Sequence, residues 1–472
     1  MDSAGIKKSR VVCETSQGLE ISGPIIQLGR HEVVFEIYSP TAVIQTSEAL
    51  REFKVHLGNH IAYSGRAVVK SAVQAGAKTV CAAALDDGWQ LQFSIDELQP
   101  GRMQALFKEH LREWRKLYLI RPEYKLHMAD MENFFEELRA WLDQMELGIR
   151  TAPSKDIQKV ESDVARELGA SIIPSIDALF EKFEYLAEAL EPKTRPVHRV
   201  YMQRRLHPLL LCAPFAHRTL TKPLGYAGDY EMVAMLARNR PEGESLYAKI
   251  VHLWFVHQAP AEAHRNRLKH LTQRLVEETL RAASPGKPAR ILSVACGPSV
   301  ELQDFVREHE ISNRADLTFL DFNEETLEYV AAVFKDLKAK LSRRTPVQFV
   351  KRSVHHLLKE SMRSAASSST QQYDFIYCAG LFDYLTDAVC QRLMTLLYDW
   401  VAPGGLLLAT NVESSNPMRF GMEHLLDWHL IYRSGPQLQA LRPTQVAPED
   451  FVIRADITGV NLFMEARKPN DG

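Results

Sequence analysis

The chain has no Cys-x-x-Cys pair. Its six cysteines, Cys13, Cys81, Cys212, Cys296, Cys378 and Cys390, are scattered along 472 residues. That pattern offers neither the spacing of a zinc ribbon nor the frame of a disulfide-stapled fold, and a reduced, cytoplasmic setting is expected. No apolar run reaches the roughly 20 residues of a membrane span. The N-terminal stretch MDSAGIKKSRVV is basic but has no apolar signal core, so export is not expected. Neither sign of charge dominates, since 57 Lys and Arg stand against 59 Asp and Glu. Electrostatic capture of nucleic acid or an anionic membrane is therefore not expected, which disfavours an RNA-modifying role. Histidines at metal-binding helical spacing are wanting too. His355 and His356 are adjacent, and His252 and His257 stand five apart, off a common helix face, so no metal site is expected.

What is present divides into a multidomain chain. Residues 1–97 read as a small antiparallel β-barrel, 98–286 as a helical region and 287–472 as an α/β domain. The first part holds short alternating segments: Ile21–Ile26, Val33–Tyr38, Phe53–Leu57, Ile61–Val69, Thr79–Ala84 and Gln90–Phe93. Gly, Pro, Asn and Asp separate them, as in a small barrel. It resembles a PilZ-type domain, a fold often used to bind cyclic di-GMP. Such binding uses an arginine pair and an Asp/Asn-x-Ser-x-x-Gly turn. Here Lys7, Lys8 and Arg10 stand in for the pair and Ile25–Arg30 lacks the turn. A scaffolding or docking barrel is the better expectation.

From Ile95 to about Ala283 the composition is helical. Ser94 or Asp96 is placed to cap a helix through Leu106–Leu117. Prolines, including Pro153, Pro174, Pro196 and Pro208, then punctuate amphipathic pieces. One is Met128–Met145, with Phe134, Phe135, Leu138, Trp141 and Leu142 on a packing face. Another, Arg195–His207, is basic and reads first as a solvated face. Thr221–Tyr230, TKPLGYAGDY, stands out, since a bare turn needs neither two tyrosines nor two glycines. Tyr226, Asp229 and Tyr230 are candidates to enclose a small molecule, although Asp229 is also placed to cap a helix Tyr230–Arg238. Ala261–Ala283 predicts a further helix; its Arg265 or Arg267 could meet an anionic group, with solvated surface the commoner role. The linker Ser284–Pro288 follows.

Ala289–Asp321 organises the rest. An apolar run (Ile291–Ala295), a turn (Cys296–Ser299), a helical stretch (Val300–His309) and a second run (Leu317–Leu320) ending in Asp321 spell strand, turn, helix, strand. In an open parallel sheet, ligands sit at the carboxyl ends of the strands. Ala295, Cys296 and Gly297 allow close approach to the backbone, and Asp321 is placed to accept both hydroxyls of a ribose. A dinucleotide needs Gly-x-Gly-x-x-Gly, and this turn holds one glycine. S-adenosylmethionine, which brings only an amino-acid tail, tolerates it better. Here the sequence resembles the class I S-adenosylmethionine-dependent methyltransferases, although Ser293, Ala295 and Ser299 replace an acidic residue and two glycines of their usual motif.

The remaining segments keep that order: a helix Glu324–Leu341, a strand Val347–Val350, a polar loop Ser364–Gln372, a strand Tyr373–Tyr377, a helix Asp387–Val401, Pro403-Gly404-Gly405 and a strand Leu406–Thr410. Asp450–Asp456 and Asn461–Arg467 are joined too tightly for a parallel crossover, so an antiparallel hairpin closes the domain. A Rossmann-like, seven-stranded sheet ending in such a hairpin is what the resemblance implies. By position, Phe322 and Asn323 beside Asp321, Ser353 and Val354, and Cys378, Ala379 and Gly380 join the cofactor-binding candidates. Together with TKPLGYAGDY and ILSVACGP, the stretch LDWHLIYR gives a more specific likeness. It resembles the bacterial extracellular-factor 3-hydroxypalmitic acid methyl ester biosynthesis family from about Arg199 to Arg467. The likeness implies methyl transfer to a small molecule such as a fatty-acid carboxylate. Tyr226, Asp229 and Tyr384 are the catalytic candidates, with His355 and Asp427 as further possible bases. Tyr230, Asp427, Trp428, Tyr432 and Arg433 are the substrate-binding ones. The partners expected are a small methyl acceptor and at most a second copy of the chain in a homodimer. The competing expectation is a cyclic di-GMP-responsive regulator with a degenerate methyltransferase half.

Overall fold

The computed structural model describes residues 9–86 apart from 30, 39–43, 58–59 and 76–77, then 104, 108, 111–112, 119–151, 156–363 and 372–470. The strand expected at Gln90–Phe93, the cap at Ser94 or Asp96, Lys7 and Lys8 lie outside these residues. So do most of the Leu106–Leu117 helix and, but for Gln372, the loop Ser364–Gln372.

The N-terminal segments alternate inward and outward side chains and close into an antiparallel barrel. Its strands are β1 (Ser9–Glu14), β2 (Glu20–Leu28), β3 (Glu32–Ile37), β4 (Ala49–Leu57), β5 (His60–Ala75) and β6 (Lys78–Leu85). They run in the order β1-β2-β3-β6-β5-β4, with β4 pairing back onto β1. Val11, Val33, Phe35, Phe53, Val55 and Cys81 fill the interior, each fully buried. The sequence pattern misses β1, and pairing with both β2 and β4 explains why it is a strand.

The helical layer consists of α1 (Pro122–Thr151), α2 (Ile157–Glu188), α3 (Arg195–Leu210), α4 (Pro214–Thr221), α5 (Tyr230–Arg238) and α6 (Leu246–His257). Two expected breaks do not occur: Pro174 lies inside α2 and Pro208 inside α3. Each proline removes one backbone donor, and burial of both flanks against the same core, around Phe135, Phe180, Phe183 and Trp254, outweighs that loss. The basic stretch of α3 is solvated only in part, since Arg204 and Arg205 are exposed while Arg199 and His207 turn inward. Arg199 pairs with Asp427, and the His207 ring meets the Leu425 carbonyl at 2.8 Å. The next helix, α7 (Ala259–Ala282), leaves this layer and packs on the C-terminal sheet.

That sheet has the order β12-β13-β11-β10-β7-β8-β9. Its elements are β7 (Ala289–Val294), α8 (Val300–Glu308), β8 (Ala315–Asp321), α9 (Glu324–Leu341), β9 (Val347–Lys351), α10 (Val354–Arg363), β10 (Tyr373–Cys378), α11 (Asp387–Asp399), β11 (Val401–Val412), α12 (Arg419–Leu425), α13 (Gly435–Gln439), β12 (Phe451–Ala455) and β13 (Asn461–Arg467). β7 to β11 are parallel neighbours, whereas β13 runs antiparallel between β11 and β12. The Rossmann-like sheet with its closing hairpin is thus present. Chain order reverses between β7 and β10, which opens a crevice at their carboxyl ends. The barrel is seated against this end. Thr46 N donates to Tyr384 O at 3.0 Å, Ala49 N to Gly225 O at 2.7 Å and Ser47 Oγ to His429 O at 2.8 Å.

Candidate functional site

A deep cavity opens at the crevice, and its walls come from β7, β8, β10, α5, α7, the segment around Trp428 and the barrel. At its floor the chain leaves β7 through a curled turn. Ala295, Gly297 and Ser299 all have left-handed backbones, with φ of 52°, 51° and 51°. A Cβ on Gly297 would meet no protein atom within 4 Å, so this backbone faces open space that a ligand can fill. Across from it, Asp321 Oδ2 accepts from Gly297 N at 3.2 Å and Oδ1 from Asn323 N at 3.0 Å. Burial pushes the Asp321 carboxyl up, opposed by these backbone N–H groups. Each oxygen keeps a lone pair for a further donor. Phe322 lies beneath the Tyr226 ring at 5.1 Å, and Ser353, Val354, Ala379 and Gly380 continue the wall. Cys296 lines it as well. Two expected neighbours do not: the Asn323 side chain caps α9 through Thr326 N at 2.9 Å, and Cys378 is wholly buried in the strand core.

On α7, His264 and Arg267 stand three residues apart, on one face. Arg267 Nη2 and His264 Nδ1 are 2.7 Å apart. Burial, then the charges of Arg267 and Arg265, hold the imidazole well below its usual pKa. It is therefore neutral, and since Nδ1 accepts from Arg267 its proton sits on Nε2. Burial also lowers Arg267, opposed by Asp383 and Glu301, but a guanidinium stays charged. His264 Nε2 and Arg267 Nε are both buried and have no hydrogen-bond partner among the described residues. Two donors with nothing to bind, in a cavity wall, fit an anionic carboxylate. Gly380 makes room for them, because a Cβ there would lie 3.1 Å from both terminal nitrogens of Arg267. Solvated surface is thus corrected for Arg267. Arg265 instead donates to Val256 O at 2.6 Å and Leu236 O at 3.3 Å, outside the cavity. The sequence misses His264; the i, i+3 spacing to Arg267 was its one signal.

Away from Asp321, the wall is completed by Gly228, Tyr384, Trp428, Met232, Leu236, Met422 and Leu430, with Tyr226 between the two parts. Trp428 Nε1 donates to Tyr384 Oη at 2.9 Å. Burial, then Asp383, pushes the Tyr384 phenol up, so it stays protonated at neutral pH. Tyr226, Tyr384 and Trp428 are therefore brought together, and the other candidates are not. Asp229 accepts from Arg218 Nε at 2.8 and 2.9 Å and caps α5 through Met232 N at 2.9 Å. Tyr230 bonds Glu325 at 2.9 Å and stacks on Tyr329, bracing α5 against α9. Asp427 is tied to Arg199 and Gln203; burial works against its charge, but Arg199, Lys222 and His429 hold it at about 2. Tyr432 lies under the Arg419 guanidinium, 5.0 Å away. Arg433 is 2 % exposed, and all its N–H groups go to Asp387, Phe382 O, Asn411 and Leu385 O, leaving none for a substrate. None of these five, nor His355, lines the cavity. Beyond Trp428 a smaller apolar recess runs between Phe180, Phe215, Trp254 and Phe255. It shares Leu236, Pro260, Met422 and Trp428 with the main cavity.

No family model matches the chain, and no curated protein matches it. Among solved structures it is similar to a possible exported protein from Bordetella parapertussis, at 17% identity and a TM-score of 0.40, over 65% of this chain and 97% of that one. It is also similar to magnesium protoporphyrin IX methyltransferase from Synechocystis PCC 6803 with bound SAH, at 10% identity and a TM-score of 0.31, over 44% and 84%. A third is the N-methyltransferase NodS from Bradyrhizobium japonicum WM9 in complex with S-adenosyl-L-homocysteine, at 14% identity and a TM-score of 0.28, over 44% and 88%.

Proposed function

We propose that the chain is an S-adenosylmethionine-dependent methyltransferase acting on a small molecule, with the carboxylate of a fatty acid or other small acid as acceptor. One observation carries the reading. A strand-tip carboxylate, Asp321, and two residues that each keep an unpaired donor, Arg267 (Nε) and His264 (Nε2), line one cavity with the bare backbone of Gly297. A ribose diol and an amino-acid carboxylate are the groups those residues fit. Phe322, Ser353 and Val354 then border the base, and Ala295, Ala379 and Gly380 lie along the middle.

When bound, the cofactor supplies a methyl group already activated on a sulfonium. The protein's own task is alignment and exclusion of water. Tyr226 and the seated barrel close the cavity on one side, and Trp428, Met422 and Leu430 make the acceptor side apolar. A carboxylic acid, with a pKa of about 4–5, is ionised at neutral pH and needs no base. This suits a site where Tyr384 stays protonated and Asp229 and Asp427 are engaged elsewhere. Trp428 occupies a lone pair of Tyr384, which leaves the phenolic proton to steady an acceptor oxygen. The apolar recess beyond Trp428 supports an acceptor with a hydrocarbon tail.

Two measurements test this. Calorimetric titration with S-adenosylhomocysteine should show one site per chain. Incubation with methyl-labelled S-adenosylmethionine and a series of fatty acids should give labelled methyl esters by mass spectrometry. Absence of nucleoside binding removes the methyltransferase reading; binding with label on no acid removes only the acceptor.

A further inference from the structure

The barrel reaches the cavity itself. Gln17, from the turn after β1, and Gln45, from the segment entering β4, both line it. Gln45 is 6 % exposed. Its backbone N donates to Glu48 Oε2 at 3.0 Å, and its carboxamide has no partner among the described residues. Its polar atoms are not among the sealed, unpartnered ones, so the carboxamide of this otherwise enclosed residue opens to the cavity and is free to bond what fills it.

The segment that carries it is fixed on both sides. Within the barrel, Glu48, 1 % exposed, also accepts from Ser16 N and Ser16 Oγ, each at 2.7 Å, which holds the Gln17 turn beside Gln45. Outward, Thr46 N binds the carbonyl of Tyr384, Ser47 binds the backbone of His429 and Ala49 N binds that of Gly225. Two anchors adjoin acceptor-side residues, Tyr384 itself and Trp428 next to His429, and the third adjoins Tyr226, which lies over Phe322. Ser47 takes a left-handed backbone, φ 63°, to make this docking. A loop held by these hydrogen bonds and placed there is a wall of the chamber.

We infer that the N-terminal barrel forms part of the acceptor site, with the Gln45 carboxamide binding the polar head of the acceptor, its Nε2 donating to a carboxylate oxygen. The inference rests on the methyltransferase reading and adds to it that acceptor choice is set partly outside the α/β domain.

The test uses the full chain and two amphiphiles of equal length, decanoate and decylamine, titrated below their micelle thresholds into protein saturated with S-adenosylhomocysteine. Gln45→Ala should weaken decanoate about tenfold, the value of a hydrogen bond to a charged group. Gln45→Glu should weaken it further while tightening decylamine, a reversal that general damage to the fold cannot give. The affinity of both variants for S-adenosylhomocysteine should stay within about twofold of wild type. Decanoate affinity unchanged in both variants overturns the inference, as does failure of wild type to bind decanoate at millimolar concentration. Parallel loss of decanoate, decylamine and nucleoside binding assigns Gln45 a structural role and overturns it too. If wild type does not bind S-adenosylhomocysteine, the methyltransferase reading itself has failed, a result separable from the others.

Discussion

Asp321 and Arg433 carry ordinary charged side chains, and their fates differ because of what surrounds them. Asp321 ends a parallel strand at the crevice, where the carboxyl end of β8 opens onto the cavity. That position follows from the apolar run before it, so the sequence alone pointed to it. Removing the carboxylate, Asp321→Ala, should weaken S-adenosylhomocysteine about a hundredfold, the loss of two hydrogen bonds to a charged group. Circular dichroism should report an intact fold, and equal affinity in wild type and variant would rule out ribose binding at this residue. Arg433 reads as a substrate ligand because a sequence shows a charge and not its partners. Four groups from β11, α11 and the turn before it consume its donors. Arg433→Ala should therefore cost about 3–5 kcal/mol of stability, because it strands the Phe382 and Leu385 carbonyls and the Asn411 amide oxygen without a donor, read by chemical denaturation, and leave nucleoside affinity in the residual folded protein unchanged.

At the scale of elements, strands buried on both faces and helices with clear stops could be read directly. α5 and α9 fall where the spacing predicts them, since Asp229 and Asn323 cap their first turns. The TKPLGYAGDY turn reads as unusual from its residues, but its side chains divide between two tasks that the reading joins in one. Tyr226 faces the cavity, while Asp229 and Tyr230 hold α5 in place. Local sequence cannot show which side of a turn faces a partner over a hundred positions away. The same limit hides the role of the polar face of α7, a helix the sequence does predict, because that face reads as solvated until the sheet is laid against it. The close approach of α7 to the β10 loop makes Gly380 a sensitive point, because its φ is 88° and its bare Cα meets the Arg267 guanidinium. Gly380→Ala should lower S-adenosylhomocysteine affinity by tilting Arg267 away. Gly286→Ala, a similar left-handed glycine with nothing within 4 Å of its added Cβ, is the control for backbone strain alone. Equal affinities in the two variants would show that strain, and not the arginine, is responsible.

Across the whole molecule, barrel, helical layer and α/β domain meet around buried charges that no single stretch discloses. Lys222 is 3 % exposed and donates to the carbonyls of Thr219 and Leu426 at 3.1 and 3.3 Å. Arg66 and Asp86 of the barrel, Arg199 of α3 and Asp427 all act on it electrostatically. Burial comes first and lowers its pKa from 10.5 to about 7, reinforced by the two arginines and opposed by the two aspartates. Above that value the folded lysine is neutral, whereas the unfolded one keeps its proton up to its ordinary pKa. The unfolded state thus binds more protons, and stability must rise with pH across this window, with a limiting slope of about 1.4 kcal/mol per unit. Below about pH 7 both states are protonated, and this contribution becomes flat. Denaturant midpoints of the full chain should climb between roughly pH 7 and 9, and the climb should vanish in Lys222→Met. That variant leaves two carbonyls without their donor, so its absolute stability can move either way. The slope is the decisive quantity, and an identical slope in variant and wild type would mean that the junction stays charged when the domains close on it.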